Sequence, residues 1–137
     1  MNNPMAPNDC KDGWKYVKPL VEDDAIVRHA ASVGCILPPA VLKNLEIHNG
    51  GRPPRREFVV AELGGKMFKS LFSYNEGDPD FVHDFDFGEM QGCFPIGVDV
   101  FGNEVLFSAA EGLYLYRDHE TGKMYEIDAS SNVELFV

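Results

Sequence analysis

The chain lacks the short motifs that mark common catalytic and cofactor sites. It contains no GxSxG elbow, no Walker-type phosphate loop, no HExxH zinc motif and no GxGxxG dinucleotide fingerprint. It also has no long apolar run, and its first residues form neither a basic leader nor the apolar stretch of a secretory signal. These absences predict a non-catalytic protein with no membrane span, located in the cytoplasm.

Cysteine is scarce as well. The three cysteines, Cys10, Cys35 and Cys93, are odd in number and widely spaced. This pattern has neither the CxxC pairs of a zinc site nor the even count of a disulfide framework. Because a free cysteine packs as a small hydrophobe, we expect buried or incidental thiols.

Positive charge is nearly absent from the second half of the chain. Residues 1–74 carry 10 Lys and Arg against 8 Asp and Glu, whereas residues 75–137 carry 2 against 14, a net charge of −12. A negative field of this kind steers basic partners and repels nucleic acid and anionic membranes. The acidity therefore predicts no nucleic-acid or membrane partner, and it fits either a binding role or solubility alone.

The one dense positive cluster is the loop from Arg52 to Arg56. It has no interleaved aromatic residues, and the rest of the chain is strongly acidic. A nucleic-acid surface normally combines more basic residues with aromatic ones. We therefore expect a solvated loop that pairs with the protein's own carboxylates.

What is present is enough for one folded domain. The 137 residues are 45% hydrophobic and 12% aromatic, which is a globular composition long enough to bury a core. We expect residues 1–13 to form a flexible N-terminal tail and residues 14–137 to form a single domain. Trp14, at the start of that domain, is expected to cover the edge of the core because its large ring gains most from burial.

Two short helices are predicted near the N-terminus. Carboxylates at residues 22–24 precede an amphipathic run that ends at Gly34, as the helix macrodipole favours. The second helix begins at Pro38 and Pro39, since proline is tolerated in a first turn. It ends at three residues suited to a C-terminal cap, which are Asn49, Gly50 and Gly51.

The rest of the chain is predicted to form mainly β-strands, because apolar and polar residues alternate along it. A hairpin is predicted from residues 57–63 and 66–72, with its turn at Gly64 and Gly65, and residues 94–107 give two further strands. The structural turn residues of this stretch are predicted to be Gly97, Asp99, Gly102 and Asn103. Runs at 113–117 and 123–127 add two more strands, and a final short helix is capped by Asp128 or Ser130. The predicted fold is α+β, a single domain with a mixed or mostly antiparallel sheet of about six strands flanked by N-terminal helices.

The acidic segment, residues 75–92, interleaves carboxylates with aromatic residues. The phenylalanines can bury one side while the carboxylates stay in water, and the pattern fits both a short helix and an irregular lobe. Binding to a basic partner would use the charged face, with aromatic anchors at its centre. The candidate partner-binding residues are Asp78, Asp80, Phe81, Asp84, Phe85, Asp86 and Glu89.

Metal and catalytic alternatives have weaker support. Oxygen ligands crowd the turn at Asp99, Asn103 and Glu104 and the acidic segment, but their spacing does not match the twelve-residue calcium loop. An enzyme or ligand-binding site is suggested only by the trio Asp99, His119 and Glu120, near the ends of the predicted strands. The four histidines lie in segments of different type, at His29, His48, His83 and His119. We predict no catalytic residue, no metal and no cofactor.

The order of these segments resembles that of the SUKH superfamily, which groups the fungal cell-wall assembly regulators of Smi/Knr type with many small bacterial proteins. The resemblance covers residues 22–137 and departs from the pattern at Trp14, the arginine-proline loop and a short tail. The matching features are a helix that opens after Gly34, Leu37 and Pro38 and closes on Asn49, Gly50 and Gly51, then strands, then Pro95, Ile96, Gly97, Asp99, Gly102 and Asn103, then Tyr114 to His119.

This resemblance implies an α+β fold with no enzymatic activity. The bacterial members are similar to immunity proteins of polymorphic toxin systems, which bind and neutralise a cognate toxin, often a nuclease. On this reading the acidic half of the chain covers the basic substrate cleft of the toxin. The alternatives are a regulatory scaffold that binds an endogenous protein, as the fungal relatives do, and a small-ligand or metal-binding protein.

Overall fold

The computed structural model describes residues 13–87 and 92–128. Two helices, α1 (Ala25–Ser32) and α2 (Pro39–Ile47), precede six strands, and a 3₁₀ helix (Val82–Asp84) lies between the second and third strands. The strands are β1 (Glu57–Val60), β2 (Gly64–Leu71), β3 (Cys93–Asp99), β4 (Glu104–Ser108), β5 (Leu113–Arg117) and β6 (Met124–Glu126). The predicted α+β layout with N-terminal helices is confirmed. Glu89 and the predicted final helix lie outside the described residues. So does the predicted N-terminal tail, apart from its last residue, Gly13.

Both helices follow their sequence signals. α1 buries Ile26 and Ala30, and Gly34 after its end has a φ of +69°, which a residue without a Cβ adopts at little cost. α2 follows Pro38 and buries Leu45. The helices are eight and nine residues long, and no helix in the described ranges is long and apolar enough to cross a membrane.

The sheet is an antiparallel meander in the order β1-β2-β3-β4-β5-β6. The predicted run of three successive strands from β3 to β5 is confirmed. β3 pairs with β4 from Cys93 opposite Ser108, and β4 pairs with β5 from Glu104 opposite Arg117. Each strand therefore lies beside its neighbour in the chain.

The first and last strands also meet. Val60 forms an antiparallel bridge with Ile127, the Ala61 N–H donates to the Glu126 carbonyl at 2.9 Å, and the Asp128 N–H donates to the Val59 carbonyl at 2.8 Å. The meander therefore curls until its two edges join. This contact satisfies edge backbone groups that an open sheet would expose.

The predicted turn at Gly64 and Gly65 is wrong. Both glycines lie in β2, where Gly64 pairs with Val60 and Gly65 with Val59. The turn lies at residues 61–63, where Glu62 has a φ of 73° and the N–H of the third residue donates to the Val60 carbonyl. Glu62 and Gly64, which directly follows the loop with a φ of +85°, both adopt the positive φ that short hairpin loops require.

The buried hydrophobic residues form two clusters. Leu71, the last residue of β2, belongs to the larger cluster, whereas Phe72 directly after it belongs to the smaller one. Trp14 belongs to the larger cluster, where it is buried and stacks on His48 with ring centroids 4.1 Å apart. The prediction that Trp14 packs on the core is thus confirmed. The smaller cluster is formed by Phe72, Val82 and Val98, with Tyr74, Phe81, Phe85 and Phe87 packed against it.

The two described cysteines are free. Cys35 is buried in the larger cluster, and Cys93 is half-buried at the start of β3. Burial raises the pKa of both thiols above the ordinary value. Both residues therefore fit the predicted role of packed thiols, and Cys10 lies outside the described residues.

Candidate functional site

The described part of the acidic segment, residues 75–87, is irregular apart from one 3₁₀ turn. Its middle is tied to the chain just after β2, because Ser73 and Phe81 form a parallel bridge. The Ser73 N–H donates to the Asp80 carbonyl and the Val82 N–H donates to the Ser73 carbonyl, both at 2.9 Å. These bonds fix the segment across one face of the sheet.

Two of the predicted partner-binding carboxylates are engaged within the protein. Asp78 Oδ2 accepts hydrogen bonds from Ser73 Oγ at 2.8 Å and from Asn75 Nδ2 at 3.1 Å. Asp80 Oδ2 lies 3.0 Å from Lys69 Nζ and accepts from a serine hydroxyl of β2 at 3.1 Å. These contacts give Asp78 and Asp80 a structural role in holding the segment.

The predicted aromatic anchors also pack inward. Phe85 and Phe87 meet Phe72 with ring centroids at 4.7 and 5.5 Å, and Phe81 meets the ring of His83 at 5.2 Å. Burying one side of the segment in this way leaves Asp84 and Asp86 on the exposed side. The structure therefore divides the predicted set into inner residues, which are Asp78, Asp80, Phe81 and Phe85, and outer residues, which are Asp84 and Asp86.

A cleft of about 610 Å³ lies between α1 and the acidic segment. Arg28 and His29 of α1 line one side, and the aromatic rings of Tyr74 and Phe81 line the other. Two exposed carboxylates, Glu22 and Glu76, also line the cleft, and Glu22 forms an ion pair with Arg28. Its full lining is Val21, Glu22, Ala25, Arg28, His29, Ser32, Tyr74, Asn75, Glu76, Phe81 and His83.

Two histidines meet in this cleft. The rings of His29 and His83 lie 5.2 Å apart, and the ring of His29 also contacts those of Tyr74 and Phe94. Burial lowers the pKa of His29, and the neighbouring His83 lowers it further. No sequence pattern indicated this pair, because the two residues belong to different elements that only the tertiary fold brings together.

Acidification is expected to destabilise the protein through His29. Its lowered pKa means that the unfolded chain binds a proton first, near the ordinary pKa of 6.5. The stabilising contribution of neutral His29 is therefore complete above pH 6.5 and decreases as the pH falls through that value. Urea unfolding at pH 7.5 and pH 5.5 should show a smaller loss of stability for His29→Gln than for the wild type. Equal losses in the two proteins would contradict this assignment.

Of the four residues predicted as turn residues, Asp99, Gly102 and Asn103 lie at the turn between β3 and β4, whereas Gly97 lies within β3 and its assignment to a turn is wrong. Asp99 Oδ1 accepts hydrogen bonds from the backbone N–H groups of Phe101 and Asn103, both at 2.9 Å. Gly102 adopts a φ of +89° in the same turn. Gly97 lies under Phe68, with no space for a side chain. These contacts support a structural role for all four predicted residues of β3 and its turn.

A buried network links this hairpin to β5. Tyr116 Oη donates a short hydrogen bond to Asp99 Oδ2 and accepts one from Asn103 Nδ2 at 2.7 Å. Asn103 Oδ1 in turn accepts from the backbone N–H of His119 at 3.1 Å. Burial, and then the Asp99 carboxylate, raise the pKa of Tyr116 well above its usual range.

The trio considered as an enzyme site was Asp99, His119 and Glu120. The network links Asp99 to His119 through Asn103, and its hydrogen bonds stabilise the hairpin. Asp99 is only 1% exposed, and both of its oxygens accept hydrogen bonds from the protein. The backbone N–H of Glu120 donates to Asp118 instead. A carboxylate that is enclosed and fully engaged is suited to fixing a hairpin, since every buried polar group needs a partner.

The predicted cap after α2 joins three parts of the chain. Asn49 Nδ2 donates to the Lys18 carbonyl at 2.8 Å and to Ser73 Oγ at 3.2 Å, and Asn49 Oδ1 accepts from the Tyr74 N–H at 2.9 Å. Gly50 has a φ of +70°. A Cβ on Gly51 would lie 2.8 Å from a backbone oxygen and 2.8 Å from a valine side chain. The Asn49–Gly51 group therefore fixes the junction between the N-terminal segment and β2.

No cluster of three or more His, Cys, Asp and Glu side chains in residues 13–87 and 92–128 could hold a metal ion. Comparison with known proteins finds no matching protein family, no matching curated protein and no matching solved structure. The resemblance to the SUKH superfamily therefore stays a prediction made from the sequence.

Proposed function

We propose that this chain is a non-catalytic protein-binding domain of the SUKH type. In this proposal it is a bacterial immunity protein that binds and neutralises a basic toxin, with a nuclease as the favoured class. The observation that supports it most is the cleft beside the acidic segment, which combines aromatic walls with exposed carboxylates. Residues 75–137 also carry a net charge of −12, which favours encounter with a basic partner.

The chemistry of the cleft suits a lysine or arginine side chain of the partner. Aromatic rings attract cations, and the partly buried rings of Tyr74 and Phe81 belong to the lining. Glu76 lies in the same lining, and Asp84 follows His83 directly in the chain. A basic side chain in this cleft would therefore meet both an aromatic wall and nearby carboxylates.

The division of the acidic segment refines which residues contact the partner. Asp78 and Asp80 bind the protein's own serine, asparagine and lysine side chains. Asp84 and Asp86 are exposed outside the cleft lining, and Glu76 is exposed within it. We therefore assign partner contact to the outer carboxylates, while the phenylalanines position them.

Neutralising two outer carboxylates is expected to slow association with the partner. In the Glu76→Gln, Asp84→Asn variant the association rate constant at low salt should fall about threefold to tenfold, because charge complementarity acts mainly on the rate of encounter. The dependence of that rate on salt should become shallower. Surface plasmon resonance with the protein encoded beside this gene, or with a partner captured from the native host, provides the measurement.

The matched control removes the same number of charges elsewhere. Glu111 and Glu120 are exposed and lie outside the cleft lining, so Glu111→Gln, Glu120→Gln should change the rate less than twofold. Equal slowing by both pairs would leave only a general charge effect and reject the assignment to the cleft.

A co-expression assay tests the immunity role itself. The partner alone should arrest growth of the host cell, and co-expression of this chain should restore it. If the partner binds the cleft but is not toxic, the immunity role is rejected and the regulatory-scaffold role is favoured.

A further inference from the structure

A second pocket, of about 280 Å³, lies where the N-terminal segment, the end of α2 and β2 come together. Its size is close to the lower end for small-molecule sites, about 300 Å³. The acidic segment contributes two residues to one side of it. The pocket is lined by Tyr16, Lys18, Gly50, Arg52, Lys69, Ser70, Pro79 and Asp80.

Three cations converge on this pocket from three parts of the chain. Lys18 Nζ donates to the Tyr16 carbonyl at 2.8 Å. Arg52 is half-buried, its Nε donates to the Lys69 carbonyl at 3.3 Å, and its guanidinium carbon lies 5.2 Å from the centroid of the Tyr16 ring. Arg52 therefore forms part of a built wall, in contrast to the solvated ion pairs predicted for this loop.

The backbone around the pocket is strained. Tyr16 and Asp80 have φ values of 61° and 55°, and they are two of the three non-glycine residues with positive φ in the described ranges. Gly50, with a φ of +70°, allows the Lys18 side chain to pack closely, since a Cβ there would lie 3.3 Å from Lys18 Cδ. Such conformations are costly and concentrate at functional sites.

The charge of the pocket identifies the class of ligand. Lys18, Arg52 and Lys69 are opposed by one carboxylate, Asp80, which leaves two positive charges in a chain of net charge −10. A single carboxylate ligand would neutralise one of them, whereas a phosphomonoester carries a charge of about −1.5 to −2 at neutral pH. The Asp80 carboxylate, beside Lys69 Nζ and the Ser70 hydroxyl, already shows that this wall binds anionic oxygens.

We propose that this pocket binds the phosphate group of a small phosphomonoester. Arg52 and Lys18 bind the phosphate oxygens, Lys69 shares its charge between the ligand and Asp80, and the Tyr16 ring packs against the rest of the ligand. This pocket shares no lining residue with the partner cleft, and the site does not depend on the immunity role.

The test titrates the ¹⁵N-labelled full chain with inorganic phosphate at constant ionic strength. Saturable shifts in the NMR spectrum are expected, with a dissociation constant of about 1 mM or lower. They should be centred on the backbone amides of the pocket lining. Sodium chloride at the same ionic strength should not reproduce them. A second titration compares glycerol 3-phosphate with glycerol, which lacks the phosphate group. Tighter binding of glycerol 3-phosphate than of inorganic phosphate supports a small phosphomonoester as the ligand.

Two substitutions should act in opposite directions. Arg52→Gln should weaken phosphate binding about tenfold or more, because a charge-assisted hydrogen bond is lost. Asp80→Asn removes the competing anion and should tighten binding severalfold. The control is Arg55→Gln, which removes an exposed arginine of the same loop that does not line the pocket and should change the affinity less than twofold.

The spectrum of each variant reports whether it is folded, and Arg52→Lys keeps the charge if Arg52→Gln fails to fold. Partial retention of phosphate binding in Arg52→Lys supports the site. Three results would overturn the proposal: no saturable shifts, shifts centred on Arg55 and Arg56, or equal losses in Arg52→Gln and Arg55→Gln.

Discussion

Gly97→Ala is expected to lower the free energy of unfolding by about 3 kcal/mol or to prevent folding. A Cβ at Gly97 would lie 2.3 Å from Phe68 Cζ and 2.4 Å from the backbone oxygen of Ser70. The ring belongs to a fully buried side chain, and the oxygen belongs to the neighbouring strand β2. Neither atom can move away without disturbing the pairing of β2 with β3, so the added methyl group must distort the centre of the sheet.

Gly65→Ala is the matched control for this substitution. Gly65 also lies in a strand, but no heavy atom lies within 4 Å of a Cβ built there. Alanine at this position should leave stability unchanged or raise it by about 0.5 to 1 kcal/mol, because the unfolded chain loses conformational freedom. Urea unfolding followed by circular dichroism compares the two variants, and a Gly97→Ala protein within 1 kcal/mol of the wild type would contradict the described β2–β3 register.

Arg117→Met is expected to lower the free energy of unfolding at pH 7 by about 3 to 5 kcal/mol. Arg117 Nη1 lies 2.8 Å from Glu104 Oε1, and the two side chains are only 13% and 3% exposed. Methionine would fill much of the same volume while leaving the Glu104 carboxylate buried without its cation. The loss comes from the uncompensated charge, since an intact buried ion pair by itself stabilises little.

The pH dependence of this loss tests its cause. Burial raises the pKa of Glu104 above 4.5 in spite of the favourable effect of Arg117, and removal of the arginine should raise it further. A raised pKa means that the folded state holds the proton more tightly than the unfolded chain does. The contribution of this carboxyl group to stability is therefore most favourable at low pH and declines as the pH rises through the raised pKa.

Unfolding at pH 4.5 should accordingly show a smaller deficit for Arg117→Met than unfolding at pH 7. The Glu104→Gln, Arg117→Met double variant removes the charge altogether and should recover most of the stability at pH 7. A deficit that is the same at both pH values, or a double variant no more stable than the single one, would show that lost packing is responsible.

Local sequence signals predicted the helices and the central strands. Gly34 and the Asn49–Gly51 group end helices because glycine reaches left-handed conformations cheaply, and the strand runs are rich in β-branched and aromatic residues. The same reasoning placed the first hairpin turn at Gly64 and Gly65, and there it failed. Phe58 and Val60 must both face the core, and the resulting register leaves the turn to residues 61–63.

The candidate site was predictable only in its composition. The charge and the phenylalanines of the acidic segment can be read from its sequence. Which of its carboxylates are exposed to water cannot. Asp78 and Asp80 point inward because Ser73, Lys69 and Asn75 meet them in the fold. The histidine pair in the cleft and the three cations of the second pocket depend on the same kind of contact between distant segments, which periodicity and spacing do not report.

The junction of β1 with β6 has a consequence for synthesis of the protein. β1 is complete once residue 60 has left the ribosome, but its outer edge finds its partner only when Ile127 and Asp128 emerge. Until then the nascent chain presents an unpaired strand edge, which is the feature through which partly folded chains pair with one another. Truncation before residue 127 should leave this edge of β1 unpaired, and we expect such a chain to self-associate more readily than the full chain.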